Sequence, residues 1–434
     1  MAATEQTLMG VTQARERLLS FFSPLNTEIV PLDHSAGRTL GEDIYSSLNL
    51  PPFSNSSMDG FAVRSEDVIG ASKESPVTLP VEADIPAGKT LLIHLLPGSA
   101  ARIMTGAPLP EGADAVVPVE DTDFNYRDIG QSAPKKVRIY RNARPGDFIR
   151  PKGQDVKQGE LVMQNGIKLR PQDLGFLGML GVAKLPLYRQ PRVAILSSGD
   201  ELVPVDVPLT PGKIHDSNTY TLMAAVQEAG AVPINLGIVP DRAAEVEASL
   251  DRAVNHGVDL IMSSAGVSVG AFDFVRSVVE SRGSLDFWRV NMRPGKPLAF
   301  GHYQDVPFVG LPGNPVSSYV GFEVFVRPAI LKMNGQQALT RKTERVRLIE
   351  KVESDGRESY LRAIVQRQDD SWVARLTGHQ GSGNLRSLVL ANALLVIPSG
   401  VKSLPAGEEV DAWLISEIHE SVDIGMNKPA SGGG

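Results

Sequence analysis

Apolar residues at Val11, Ala14, Leu18 and Phe22 recur at helical spacing and predict an amphipathic helix near the start of the chain. Between about Ser47 and Asp155 the pattern shortens to strand-like pieces, "PVTLPVEA", "ARIMT" and "KVRIYR", set among Pro and Gly. Short runs bounded by such residues predict a β-rich domain over 47–155. The next stretch, "GELVMQNGIKLRPQDLGFLGMLGVAKLPLYRQ", contains a compact apolar helix and ends in a polar joint near Gln190.

From Pro191 buried strands alternate with helices. "RVAIL", "VPINLGIV" and "DLIMSS" read as strands, and "DSNTYTLMAAVQEAG", "DRAAEVEASLDRAVNHG" and "FDFVRSVVESRG" as helices. The first helix has Ser217 or Asn218 as its cap and Gly230 as its stop. Val246, Leu250 and Val254 share one face of the second. The alternation predicts right-handed βαβ units and a doubly wound parallel sheet, an α/β domain over 191–335. "PVSSYVGFEVFVRPAILKMNG" predicts a long closing helix with Pro315 near its first turn. Beyond it, "RVRLIE", "YLRAIVQ", "SWVARLT", "ALLVIP" and "EVDAWLI" predict a small β-barrel or sandwich over 336–420. Residues 421–434 end in "GMNKPASGGG" and are expected to form a disordered tail.

A length of 434 residues suggests about three domains, and 42% hydrophobic with 21% charged residues is ordinary for a soluble globular protein. The formal charge of −7 argues against sequence-independent nucleic-acid binding, which needs a basic face. Any anion site must therefore be a local cationic pocket. The absence of cysteine excludes disulfides, zinc ribbons and a thiol nucleophile, and fits a cytoplasmic protein. No apolar run reaches the roughly eighteen residues of a membrane span, and the mixed charges of the N-terminus do not read as a signal peptide.

Ligands of open α/β sheets sit beyond the carboxyl ends of the strands. Here those ends are acidic: Asp200 and Glu201 in "SSGDEL", then Asp241, then Asp273 in "SSAGVSVGAFD". Taken singly, each is an ordinary loop carboxylate. Successive acidic strand ends shift the reading to a shared task, holding Mg2+ that bridges phosphate oxygens. The third strand end also sets Ser264, Gly266, Ser268 and Gly270 before a helix, a turn whose backbone N–H groups can receive a phosphate. No Walker sequence accompanies it, because "RPGKP" lacks the upstream glycine and the Ser or Thr after lysine. In "MRPGKPLAFG", Arg293 and Lys296 flank a Pro-Gly turn, and "GLPGNPVS" sets Pro312, Gly313, Asn314 and Pro315 beside Ser317. Rigid turns carrying cations and hydroxyls at a helix start predict a cradle for a compact dianion. The seven histidines show no metal-ligand spacing, and nothing resembles a Ser-His-Asp constellation in the needed context.

Together with "SNSSMDGFAV" (Ser54 to Val63) and "RIMTGAPLPEGADAVV" (Arg102 to Val117), these motifs resemble the molybdopterin molybdenumtransferases of the MoeA type, the family of the gephyrin E domain. The resemblance spans nearly the whole chain. It implies four-domain subunits, with an elongated, discontinuous linking domain from 1–46 and 156–190, assembled as a homodimer. It implies that adenylylated molybdopterin and molybdate, with Mg2+, yield molybdenum cofactor and AMP. Carried over residue by residue, it implies catalytic roles for Asp59, Thr105, Asp155, Glu201, Asp241 and Asp273. Asp241 and Asp273 fall at the Mg2+ and pyrophosphate end, with Asp200 and the two turns on the substrate. The dianion becomes molybdate, bound by Arg293, Lys296 and Ser317, with Arg362 ("SYLRA") and Ser387 ("LRSLVL") from the C-terminal domain. Many members have Lys in place of Arg293 and Gly in place of Ala265.

Handover contacts with a molybdopterin adenylyltransferase are also expected, and no nucleic-acid or membrane partner. A stand-alone adenylyltransferase, or a pyrophosphatase of the competence-damage type, would share only the α/β domain, whereas "SMDGFAV" and "TGAPLPEG" lie outside it. A scaffold role like that of gephyrin lacks a visible long linker or fused domain.

Overall fold

The computed structural model describes residues 8–88, 93–124, 132–265 and 271–417, with backbone alone at 265, 271–273 and 288. The chain forms two compact units. One takes the residues up to Gly41, Gly166–Arg170 and those from Lys184 onward; the other takes Glu42–Asn165 and Pro171–Ala183.

In the larger unit, helix α1 (Val11–Leu19) buries Val11, Ala14 and Leu18, and Phe22 joins them one turn further on. Full burial of a Val, Leu or Phe side chain is worth about 1.5–3 kcal/mol, so this stripe holds the helix to its core. The α/β part follows as β1 (Arg192–Ser198), α2 (Asn218–Glu228), β2 (Val232–Val239), α3 (Ala243–Asn255), β3 (Leu260–Ala265) and α4 (Ala271–Arg282). Then come β4 (Gly283–Arg289), β5 (Met292–Arg293), β6 (Pro297–Tyr303) and β7 (Val306–Pro312). The sheet order is β2-β1-β3-β7-β6-β4. The pairs β1–β2, β1–β3 and β3–β7 are parallel, as the βαβ pattern requires. The pairs β6–β7 and β4–β6 are antiparallel, so the parallel sheet carries an antiparallel extension. Only Gln304 and Asp305 separate β6 from β7, too few residues for a parallel crossover. Val193 and Ile195 of β1 face one core while Ala194 and Leu196 face the other, which is why the strand reads as a continuous apolar run.

The start of α2 differs from the sequence expectation. Ser217 takes the N-cap position but its side chain makes no capping bond; instead the Asp216 carboxylate accepts from Thr219 N–H at 3.1 Å and from Thr219 Oγ1 at 2.5 Å. Gly230, at φ 89°, does stop it. The closing helix is continuous but not uniform: α5 (Pro315–Gly321), a π turn over Phe322–Val326, and α6 (Arg327–Met333). Pro328 has no N–H and its ring crowds the carbonyl four residues back. The wide turn before it absorbs that misfit, with Arg327 N–H bonded to the Phe322 carbonyl.

The C-terminal strands are β8 (Thr343–Leu348), β9 (Glu358–Gln368), β10 (Ser371–Leu376), β11 (Ala393–Ile397) and β12 (Glu409–Leu414). They close into a barrel in the order β9-β10-β8-β12-β11, with β11 returning to β9. The short β5 adds to β9 in parallel, Met292 opposite Glu358 and Arg293 opposite Ser359. Tyr360, Leu394 and Trp413 of the barrel enter the same core as α1 and the closing helix.

The smaller unit contains a five-stranded sheet in the order Ala115–Pro118, Gly60–Val63, Ala100–Ile103, Val77–Ile85, Lys136–Ile139. A Cβ on Gly60 would lie 2.2 Å from the Val117 carbonyl oxygen, so "SMDGFAV" needs glycine there. The helix Pro171–Met179 belongs to this unit.

Candidate functional site

A cavity of about 350 Å3 lies where the β5–β6 turn, the start of α5 and the barrel meet. Arg293, Pro294, Gly295 and Lys296 form one wall, Asn314 and Ser317 a second, and Arg357, Arg362 and the loop residues Gln380, Gly381 and Ser382 the third. Gly295 sits at φ 107°, a conformation that favours glycine, and the Arg293–Pro294 peptide is cis. Pairing of β5 with β9 fixes one end of this turn, and Arg357 Nη1 donates to the Met292 carbonyl at 3.0 Å beside it. Asn314 precedes α5 and Pro315 opens it, which brings Ser317 to the cavity with the rest of its residue buried.

The electrostatics are one-sided. Arg362 is fully buried, yet its guanidinium meets only neutral groups, Nε donating to Ser387 Oγ at 3.0 Å and Nη2 to the Gly381 carbonyl at 3.0 Å. Burial first, and the neighbouring Arg293 second, pull its pKa down to about 10. Among the described residues neither Arg293, Lys296 nor Arg362 has a carboxylate within salt-bridge distance, whereas Arg357 is paired with Asp355, which also feels the charge of Arg293. The Arg357 guanidinium in turn holds the Asp355 carboxyl below the usual carboxylate range. Cations without a salt-bridge partner around one cavity, one of them buried, call for an anion. Arg293, Lys296, Ser317 and Arg362 are thus brought together. Ser387 stands behind Arg362, accepting from Nε and donating to the Asn384 carbonyl at 2.6 Å.

The carboxyl ends of the parallel strands form a second, acidic region. Asp200 and Asp241 cross-bond through their backbones: Asp241 N–H donates to Asp200 Oδ1 at 3.3 Å, and Asp200 N–H to Asp241 Oδ2 at 3.4 Å. Burial, reinforced by the charges of Asp200 and Glu201, raises the Asp241 pKa, and its Oδ1 is buried with no hydrogen-bond partner. Lys213 Nζ donates to the Asp200 carbonyl, which ties the following loop to this end. Asn218, which the pattern presents only as a possible cap, instead bridges the crevice. Its Nδ2 donates to Ser264 Oγ at 2.6 Å and to the Gly313 carbonyl at 2.7 Å. Gly266, Ser268 and Gly270 lie outside the described residues, as does the side chain of Asp273. Among the described residues no group of three or more His, Cys, Asp or Glu is gathered to hold a metal ion.

Asp59, Thr105 and Asp155 belong to the smaller unit. Asp59 Oδ1 accepts from Thr105 N–H at 2.7 Å and from Thr105 Oγ1 at 2.6 Å, so "SMDG" and "MTGAP" form one motif in space. Asp155 pairs with Arg150 at 2.6 Å on the surface. Arg357, Gln380 and Asn218 are the site residues that sequence reasoning does not single out. The glycine-rich "TGHQGSGN" between two barrel strands is the signal that points to Gln380.

Comparison with known proteins covers the same parts. Residues 9–181 match the MoeA N-terminal region (domain I and II), 194–332 the probable molybdopterin binding domain, and 345–415 the MoeA C-terminal region (domain IV). The chain is 42% identical over 392 residues to molybdopterin molybdenumtransferase 2 of Mycobacterium tuberculosis, covering 88% of this chain and 94% of that one. It is 36% identical over 424 residues to the molybdopterin molybdenumtransferase of Bacillus subtilis, covering 96% of each. A crystal structure of a molybdopterin biosynthesis MoeA protein from Pyrococcus horikoshii superposes with a TM-score of 0.80 at 34% identity, over 95% of this chain and 100% of that one. The chain belongs to the molybdopterin molybdenumtransferase family of the MoeA type, enzymes of molybdenum cofactor biosynthesis.

Proposed function

We propose that the cationic cavity is the seat of molybdate and that the acidic strand ends hold the adenylylated form of molybdopterin, whose AMP is released as molybdenum is inserted. The family assignment makes the chain a molybdenum-inserting enzyme. The observation that carries the finer reading is Arg362, a buried guanidinium without a carboxylate, sharing one cavity with Arg293 and Lys296. A tetrahedral dianion would satisfy these cations together, and Ser317 Oγ adds a neutral donor on the α5 side. The cations thereby fix the oxyanion against diffusion while the substrate is held at the strand ends.

The buried, unpartnered Asp241 Oδ1 fits a divalent cation, with Asp273 as the second ligand in this reading. When bound, Mg2+ would neutralise charge on the pyrophosphate oxygens. Asn218 orients the crevice by joining the Ser264 and Gly313 ends of its two walls. The reading extends to a cytoplasmic homodimer in which Asp59 and Thr105 serve the partner's site, and to handover contacts with a molybdopterin adenylyltransferase. No described helix is long and apolar enough to cross a membrane.

The test is incubation of the full chain with adenylylated molybdopterin, molybdate and Mg2+, following AMP. AMP release that depends on both added ions is expected. Release that ignores molybdate would remove the assignment of the cavity.

A further inference from the structure

Gln380 holds Arg362 by its backbone while forming part of the cavity wall. Strand β10 ends at Leu376, opposite Ala363, so Arg362 of β9 lacks a strand partner on that side. Thr377 N–H and Oγ1 reach the Arg362 carbonyl at 3.1 and 3.2 Å. The Gln380 side chain completes the pairing: Oε1 accepts from Arg362 N–H at 2.9 Å, and Nε2 donates to the Arg362 carbonyl at 3.0 Å. Nε2 also reaches the Gly378 carbonyl at 3.1 Å. A side-chain amide, with donor and acceptor side by side, stands in for a β-strand.

This substitution lets residues 378–384 leave the barrel without orphaning the Arg362 backbone. The freed loop does two things. Gly381 turns its carbonyl to the Arg362 guanidinium at 3.0 Å, and the Ser382 carbonyl accepts from Val316 N–H at 3.0 Å, next to Ser317. One residue therefore couples the buried arginine, the loop and the first turn of α5. Because Gln380 also lines the cavity, any charge placed at this position would enter the field that the oxyanion meets.

We infer that Gln380 is a positioning residue for oxyanion binding, fixing Arg362 and the 378–384 loop, and that its neutrality is required; this rests on the molybdate reading of the cavity. Glutamate at this position would keep the acceptor for Arg362 N–H, lose the donor, and place a carboxylate where it competes with molybdate for the unpaired cations.

The experiment uses the full chain as wild type, Gln380→Ala and Gln380→Glu. It measures calorimetric binding of molybdate alone, binding of AMP, melting with and without molybdate, and molybdate KM against kcat. Gln380→Ala is expected to weaken molybdate binding by about tenfold, the effect of one misplaced charge-assisted hydrogen bond, with AMP binding unchanged. Gln380→Glu, which turns a carboxylate oxygen on the Arg362 and Gly378 carbonyls, is expected to bind molybdate more weakly still while AMP binding stays unchanged, since a merely structural disruption would weaken both. Wild-type binding with both variants within about twofold of it, on that same scale, would overturn the inference and leave the cavity reading standing. A wild-type chain that does not bind molybdate overturns both. Should Gln380→Ala fail to fold, Gln380→Glu, nearly isosteric, carries the test alone.

Discussion

Arg362 carries a cost that an anion would relieve. A buried cation without a counter-charge destabilises the fold, and an apolar replacement of similar volume is commonly neutral or stabilising. Arg362→Met is therefore expected to melt at or above wild type without oxyanion, and to lose the rise in melting temperature that molybdate gives the wild type. The sign with pH follows from the pKa of about 10, well below the ordinary arginine value. Between those values the unfolded chain binds the extra proton, so the cost of charging Arg362 is present below about pH 10 and is relieved as pH rises through the folded value. Molybdate affinity must move the opposite way, falling as Arg362 loses its proton, and calorimetry across that range reads it directly. Arg293→Ala and Lys296→Ala should each need at least about tenfold more molybdate, since a charge-assisted hydrogen bond is worth roughly 1.5–3 kcal/mol. Asp241 presents the reverse case. Its raised pKa means that ionised Asp241 costs stability at neutral pH, so Asp241→Asn should fold at least as well while losing Mg2+-dependent AMP release. Arg293, Lys296 and Ser317 were legible because Pro and Gly mark their turns. Gln380 was not: the glycine-rich stretch around it marks a loop, but its role depends on where a neighbouring strand ends, which residue spacing does not convey.

At the scale of elements, the closing helix shows what patterning conveys and what it leaves out. Its apolar stripe, its Pro315 start and its Gly335 end are visible in the letters, and Pro328 warns of an irregularity. That the chain answers with a π turn rather than a break depends on burial: Phe322–Val326 are all buried, so a broken helix would orphan backbone groups in the core. The same turn carries Glu323, with a side chain 1% exposed, held by Arg341 at 2.9 and 2.8 Å; Arg341 also reaches Glu228 at 2.8 Å. Removing one partner of such a buried pair leaves an uncompensated charge. Arg341→Ala is expected to destabilise by about 3–5 kcal/mol in denaturant unfolding. Pairing Arg341→Met with Glu323→Leu should restore most of that loss. A single mutant that costs nothing would mean that Arg327, 3.8 Å from Glu323, suffices to neutralise it.

Across the whole molecule, strand–helix alternation announced the α/β part, and five short alternating runs announced the barrel. The closure of that barrel was not legible, since it depends on β11 returning to β9, nor was the parallel seam between β5 and β9, which brings residues from distant segments to two walls of one cavity. Period and propensity are local, and these pairings are not. The same limit applies to assembly. Asp59 and Thr105 form their bonded pair in the smaller unit, while Asp241 and the cationic cavity belong to the larger one. If each active site of a homodimer draws Asp59 from one subunit and Asp273 from the other, the two defects are separable. Asp59→Ala and Asp273→Ala homodimers should each be inactive, whereas co-expressed mixed dimers place both substitutions in one site and leave the other intact. Their molybdate-dependent AMP release should then approach half that of wild type per mixed dimer, after purification through different tags on the two chains. Residues sharing a site within one subunit would give no recovery at all, because every subunit of the mixed dimer would still carry one defect.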